Sequence, residues 1–452
     1  MFKSIITCIG CLLLLNSTTS TFGQDADQIA RMRKLNPNLP APISIKPDVI
    51  AANSILTTDS DHLLMFTDIK GEKQIVDFHK IFDAAVPKWC EYFNVPPAKA
   101  EAWKMRAMVI GEKERFVASG LFPETLPWFP TGFQLGHEMW MYLQPGNYYT
   151  RHLLLHEGTH AFMQWFLGGV GAPWYSEGMA ELLALHSWND GKLNMNFRPT
   201  DRKQTEYWGR IKIIKKDCSE EKFLGLDDVF QFQNIAFREI NSYAWSWAAC
   251  EFLANHPLSK ESFAKLAAIA NQTPETFNAR FQNRIKDVRG ELDRDWELFI
   301  REVDFGYDVE NSRVTLASRT AEAEDSGKQT FTVDTTKGWQ RTELQVALGD
   351  RLSIIGSGQF TVAKEGETPW RCESNGITIK YYRGKPLGML MVGVLGKENE
   401  LQSLLKTIPI DGSGEIECER AGYLCFRINE YPGHLRDNSG SLTVEVKPVE
   451  SN

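Results

Sequence analysis

Two histidines four residues apart, in His156-Glu157-Gly158-Thr159-His160, constrain this chain more than any other feature. On an α-helix, positions i and i+4 share a face, so both imidazoles can grip one metal ion. Glu157 lies on the adjoining edge, where its carboxylate reaches a water held by that ion. Leu153, Leu154, Leu155, Ala161, Phe162 and Trp165 supply an apolar body, so a helix is predicted over 151–167. Zinc suits an imidazole pair, and a catalytic zinc takes three protein ligands and keeps one position open. The bland alternative is a core or surface helix with two incidental histidines.

The third ligand decides between these. Sixteen residues, 161–176, separate His160 from Glu177 in Pro173-Trp174-Tyr175-Ser176-Glu177-Gly178-Met179-Ala180-Glu181. Pro173 ends the preceding loop, Ser176 is a candidate N-cap, and Glu177 opens a helix predicted over 176–186. A carboxylate there completes a His₂Glu set, so His156, His160 and Glu177 are the expected zinc ligands, with Glu157 as general base. Glu181, one turn on, is either a support behind the ligands or solvent-exposed. His137 and His152 lack ligand spacing and read as ordinary surface or core histidines.

The pair HEGTH and WYSEGMAE resembles the gluzincin zinc metallopeptidases, the thermolysin-like and aminopeptidase-like enzymes with an HExxH…E ligand set. The resemblance spans roughly 51–310, and its motifs occupy 156–186. It implies an α+β metallopeptidase domain acting on a peptide or glycoprotein substrate. It also implies a tyrosine that steadies the oxyanion from a later helix. Tyr243, in Asn241-Ser242-Tyr243-Ala244-Trp245-Ser246-Trp247, opens a helix predicted over 242–254 and fits that role; its other reading is a core aromatic. Aminopeptidases of the group carry a Gly-x-Met-x-Asn strand upstream. Here that region reads Gly132-Phe133-Gln134-Leu135-Gly136-His137-Glu138-Met139, so an endopeptidase is implied in preference to an aminopeptidase. By the same analogy, a strand predicted over 134–143 offers main-chain hydrogen bonds to an extended substrate.

The rest of the chain frames this centre. Its 452 residues are enough for two or three domains, and 42% hydrophobic with 24% charged residues exclude collagenous and disordered classes. Lys and Arg number 50 against 58 Asp and Glu, with no basic tail, so a nucleic-acid partner is not expected. Residues 1–23 read as a signal peptide: Lys3, an apolar stretch over 5–15, then small and polar residues to Gly23. That stretch is too short to span a membrane. A periplasmic or extracellular protein is expected. Residues 24–50 read as an extended leader with Pro37, Pro40, Pro42 and Pro47, 51–310 as the metallopeptidase-like domain, and 311–327 as a linker. Over 328–452 the texture changes to short β-rich runs at 330–333, 343–346, 351–355, 377–382, 423–428 and 441–446. These suggest an all-β sandwich or barrel able to fold by itself. Beyond the signal remain Cys90, Cys218, Cys250, Cys372, Cys418 and Cys425. Cys418 and Cys425 are the nearest candidate pair; the alternative is six small buried hydrophobes.

The stretch Asn429-Glu430-Tyr431-Pro432-Gly433-His434-Leu435-Arg436-Asp437-Asn438-Ser439-Gly440 is similar to the calcium-site loop of bacterial galactose-binding lectins. Gly338-Trp339, Gly349-Asp350-Arg351 and Pro386-Leu387-Gly388 carry the similarity over most of 328–448. Calcium takes six to eight oxygens, and Glu430, Asp437 and Asn438 offer several. The resemblance adds the main-chain carbonyls of His434 and Val362, with a galactose-like sugar completing the shell. Glu430 stands where that family has a shorter Asp, and Arg436 brings positive charge. The alternative is a polar turn kept for structural reasons. The expected protein is therefore a secreted zinc peptidase targeted by a carbohydrate-binding-like module. The competing class is an inactive metallopeptidase-like shell used for carbohydrate binding or adhesion, which would have no need of Glu157.

Overall fold

The computed structural model describes residues 41–71, 75–321, 327–396 and 408–449; the segments expected as a signal peptide and most of the leader lie outside them. A mixed sheet organises the first part. Its strands are β1 (Leu56–Asp59), β2 (Leu63–Thr67), β3 (Met105–Ile110), β4 (Gly132–Leu135) and β5 (Glu138–Tyr142), in the spatial order β1-β2-β3-β5-β4. β2, β3 and β5 run parallel, and β1 and β4 are antiparallel edges. The central β3 is buried throughout, so its sequence is a nearly continuous apolar run. Met105, Ala107 and Val109 face the main helical core, while Met108 and Ile110 join Phe66, Phe116 and Trp140 on the other side. The strand predicted over 134–143 is in fact the β4–β5 hairpin. Gly136, at φ +62, makes its two-residue turn, a conformation that glycine adopts without Cβ strain. The leader is also shorter than expected: Ile43 and Ile45 pack on the sheet, and helix α1 (Pro47–Ala52) buries Ile50.

The helices that build the rest of this part are α2 (Phe78–Tyr92), α3 (Lys113–Ser119), α4 (Asn147–Phe166), α5 (Pro173–Ala184), α6 (Arg210–Ser219), α7 (Ile240–Asn255), α8 (Pro274–Ile285) and α9 (Arg289–Glu302). α4 packs between α2 and α5, and α5 between α4 and α7. Two glycines inside the sequence motifs permit this. A Cβ on Gly158 would come within 2.6 Å of the Trp89 ring and 2.9 Å of Phe82. One on Gly178 would strike the Ser246 carbonyl and lie 2.5 Å from Cys250 Sγ. α5 starts earlier than predicted, with Ala172 as N-cap residue and Pro173 in the first helical position, where a missing N–H is harmless. Ser176 is therefore not a cap.

Beyond α9, two five-stranded sheets enclose a second core. One contains Ser413–Glu417, Arg351–Ser357, Ser441–Pro448, Gln329–Asp334 and Ser318–Ala321 in spatial order. The other contains Ile408–Ile410, Leu390–Leu395, Gly422–Ile428, Gln340–Val346 and Thr315–Leu316. Alternate residues point inward: Leu442, Val444 and Val446 from one sheet meet Leu424, Phe426 and Ile428 from the other. Thr315–Leu316 and Ser318–Ala321 fall within 311–327, the segment read as a linker, and contribute one strand to each sheet. The two parts also share an apolar cluster of Leu298, Val314, Trp339, Met391, Leu395 and Cys425. Around it, Arg427 grips both oxygens of Glu302 at 2.9 and 3.1 Å, Arg436 pairs with Asp308, and the Tyr431 hydroxyl donates to the Asp304 carbonyl at 2.6 Å. Gly433 lies against the Gly306 carbonyl with no space for a Cβ.

The six cysteines from Cys90 onward are all free. The candidate pair fails for a geometric reason: Cys418 belongs to the sandwich core, and Cys425 to the cluster on the outer side of its sheet. Burial pushes the Cys425 thiol up to about 12, in keeping with an inert buried hydrophobe. No helix among the described residues is long and apolar enough to cross a membrane.

A candidate metal centre

α4 and α5 bring His156, His160 and Glu177 to one point. The two Nε2 atoms are 3.2 Å apart, and each lies 3.3 Å from Glu177 Oε2. A tetrahedral zinc with ligands at about 2.0–2.1 Å separates those ligands by about 3.3–3.4 Å, so the triangle has the dimensions of a zinc face. Both imidazoles are held from behind. His156 Nδ1 faces Glu181 Oε1 at 3.5 Å, and His160 Nδ1 lies 3.2 Å from Ser176 Oγ. With each Nδ1–H turned to those partners, two nitrogen lone pairs and a carboxylate oxygen converge, which is repulsive unless a cation sits between them. Burial alone would raise the Glu177 carboxyl, but His160 and His156 outweigh it and hold it at about 2. The His156 side chain is 8% exposed and that of Glu177 21%, so the triangle opens on the Glu177 side. That opening leaves room for a further ligand beside the three residues.

Glu181 is buried, which resolves its two sequence readings in favour of support. Arg210 donates to it through Nη2 at 2.7 Å and Nε at 3.0 Å, and Trp208 through Nε1 at 3.1 Å. Burial would raise this carboxyl, yet Arg210 and His152 keep it well below the usual carboxylate range. His152, His156 and Glu181 form a second group with atoms close enough for a metal. Arg210 and Trp208 already direct three N–H donors at Glu181, and with His156 Nδ1–H as a fourth this carboxylate orients His156 rather than binding an ion.

Glu157 lies beneath the edge strand. A Cβ on Gly132 would fall 2.5 Å from Glu157 Oε1, so only glycine lets β4 approach so closely. Burial pushes the Glu157 carboxyl up to about 8 against the pull of His160, and a divalent cation in the adjoining triangle would act with His160. Tyr243 is half-buried, with its ring 6.2 Å from that of His156 and the Arg210 guanidinium 5.5 Å above it. All five residues expected at the centre are thus together. Sequence reading missed Tyr149, whose hydroxyl is 3.5 Å from Arg210 Nη2. It also missed the roles of His152, Ser176, Trp208 and Arg210. Tyr149 and His152 precede His156 by seven and four residues, so extending the helical stripe finds them. Arg210 and Trp208 come from a distant loop and helix and carry no local signal.

The second expected site is partly assembled. Asn438 Nδ2 donates to Glu430 Oε2 and to the Thr335 carbonyl, both at 2.8 Å, which leaves Asn438 Oδ1 buried without a partner among the described residues. Burial pushes the Glu430 carboxyl up to about 8, and Asp437 adds to that rise. Thr361 and Ser439 exchange main-chain hydrogen bonds, which sets the buried Val362 beside this loop. His434 and Asp437 are exposed on the short helix Pro432–Asp437. Arg436 is drawn off by Asp308.

No family model matches the chain, and no curated protein does. Among solved structures, the EclA N-terminal domain, a PllA-like lectin, aligns over 26% of this chain and 95% of that domain, at 17% identity and a TM-score of 0.21.

Proposed function

We propose that this chain is a zinc-dependent endopeptidase of gluzincin type acting on proteins or glycoproteins. The observation that carries this reading is the triangle of His156, His160 and Glu177, with edges of 3.2–3.3 Å and each histidine backed at Nδ1. Zinc held there would supply Lewis acidity and lower the pKa of a water toward about 7. Glu157 takes the proton from that water and returns it to the leaving amine. The Tyr243 hydroxyl, kept protonated by burial, donates to the carbonyl oxygen as charge builds on it, with Tyr149 as a second donor of the same kind. An extended peptide adds to the outer edge of β4, which no strand among the described residues occupies, and passes over Glu157. The apolar stretch over 5–15 supports action outside the cytoplasm.

The test is metal analysis joined to proteolysis. The purified protein is expected to hold one zinc equivalent and to cleave casein until a chelator is added. Glu157→Gln should keep the zinc and lose turnover, since only the proton carrier changes. Equal turnover in that variant would sink the assignment.

A second reading is favoured by the orphaned Asn438 Oδ1 beside the buried Glu430. The sandwich binds calcium through Glu430, Asp437 and Asn438 with the carbonyls of His434 and Val362, and binds a galactose-like sugar more weakly. Titration calorimetry checks both: calcium heat should appear in the wild type and vanish in Asp437→Ala.

A further inference from the structure

The β4–β5 hairpin continues into a groove that the hydrolytic residues do not use. It encloses about 720 Å³ between α3 and the loop entering β4. Phe129 forms its floor, with ring centroids 5.8 Å from Phe122, 5.7 Å from Phe133 and 5.7 Å from Tyr142. Trp128 stands at the mouth, 85% exposed, the most exposed of the large apolar side chains among the described residues. Lys113 and Glu124 are the charges in the lining; they oppose each other, and Lys113 lies 4.5 Å above the Phe122 ring. A groove of this kind favours an uncharged aromatic guest.

Its position gives the guest an origin. Pro130, in the groove wall, precedes by two residues Gly132, the glycine that touches Glu157. Tyr142, also in the wall, donates its N–H to the Thr131 carbonyl at 2.9 Å, one rung from the Gly132–Met141 pair. A strand advances about 7 Å over two residues and alternates its side chains between the sheet faces. Along β4, Gly132 faces Glu157 and Phe133 faces the groove side. A peptide laid on the open edge of β4 therefore turns alternate side chains toward the aromatic floor.

We propose that this groove is a specificity subsite for a bulky aromatic side chain of the substrate, about two positions from the residue paired opposite Gly132. It rests on the peptidase reading above. The full-length protein is assayed with fluorogenic peptides that differ only in Phe or Ala at successive positions around the cleaved bond. Phe at one position is expected to raise kcat/KM roughly tenfold or more over Ala. Trp128→Ala and Val117→Glu, the second also in the groove lining, replace exposed side chains and should erase most of that gain through KM. Labelled Phe and Ala peptides are also bound to Glu157→Gln and followed by anisotropy, with and without Trp128→Ala. Trp128-dependent preference for the Phe peptide there, with no turnover in the wild type, would support the groove and sink the peptidase reading. Turnover with equal rates for Phe and Ala at every position, or binding indifferent to Trp128→Ala, would overturn the groove.

Discussion

At the scale of single residues, the centre depends on atoms that never touch an ion. Ser176 holds His160 at Nδ1 as Glu181 holds His156. Losing such a partner commonly weakens a metal about 10–100-fold. Ser176→Ala is therefore expected to lower zinc affinity toward that range in chelator competition while leaving the metal-free melting temperature near wild type. Glu181→Gln should lower both, because it also strands the buried Arg210. His156, Glu157, His160 and Glu177 were legible in the sequence because one helical period and one helix start place them. Ser176 was read as a cap because a serine before Glu177 looks like one; Pro173 starts the helix a turn sooner and turns that hydroxyl to His160. In the sandwich, Glu430 has a testable pH signature. Its folded value, about 8, is above the ordinary 4.5, so the folded state holds the proton more tightly. Without calcium, the stability it contributes is full below about 4.5 and is lost as pH rises through about 8. Melting temperatures in chelator from pH 4.5 to 9 should fall more steeply for wild type than for Glu430→Gln.

At the scale of elements, the metal site is a matter of how closely three helices approach. Gly158→Ala puts a methyl against Trp89 and Phe82, and overpacking of this kind costs about 1–3 kcal/mol. Gly178→Ala meets the Ser246 carbonyl, a backbone atom that cannot rotate aside. Its cost should be the larger of the two. Urea denaturation of both variants checks the order, and a smaller loss for Gly178→Ala would contradict the packing described. The helices predicted over 151–167 and 242–254 form as Asn147–Phe166 and Ile240–Asn255, because both are rich in apolar residues and buried on nearly every side. α9 went unread because its buried face carries charge. Asp295 accepts from His256 at 3.1 Å and from the Val314 N–H at 3.1 Å, while Glu297 pairs with Arg301. Those residues look solvent-facing until their partners are known. The β4–β5 hairpin reads as one strand in the sequence because Leu135 before the turn and Met139 to Leu143 after it look like one run, with no Asn-Gly or Pro to mark the turn.

At the scale of the whole molecule, the change of texture near 327 marks where the composition shifts, which is a local average, whereas strand pairing is not local. Residues 315–321 are too short to register, yet they sit in both sheets. A fragment 328–452 therefore loses those strands, bares Trp339, Met391 and Leu395, and strips Arg427 of Glu302. A fragment 313–452 is expected to melt cooperatively at a higher temperature than 328–452, with both below the sandwich transition of the full chain. Equal melting of the two fragments would mean that the short strands contribute nothing. The order of strands in one sheet of the sandwich has a consequence for synthesis. Ser441–Pro448 follows the other four strands of that sheet in the chain, yet it is the middle one, hydrogen-bonded to Arg351–Ser357 on one side and Gln329–Asp334 on the other. Until residues 441–448 have been made, that sheet exists only as two halves with bare edges, each able to pair with a neighbouring chain. A premature stop anywhere before residue 441 would release a protein in that unfinished state. Closure of the sandwich thus reports that synthesis has passed residue 448.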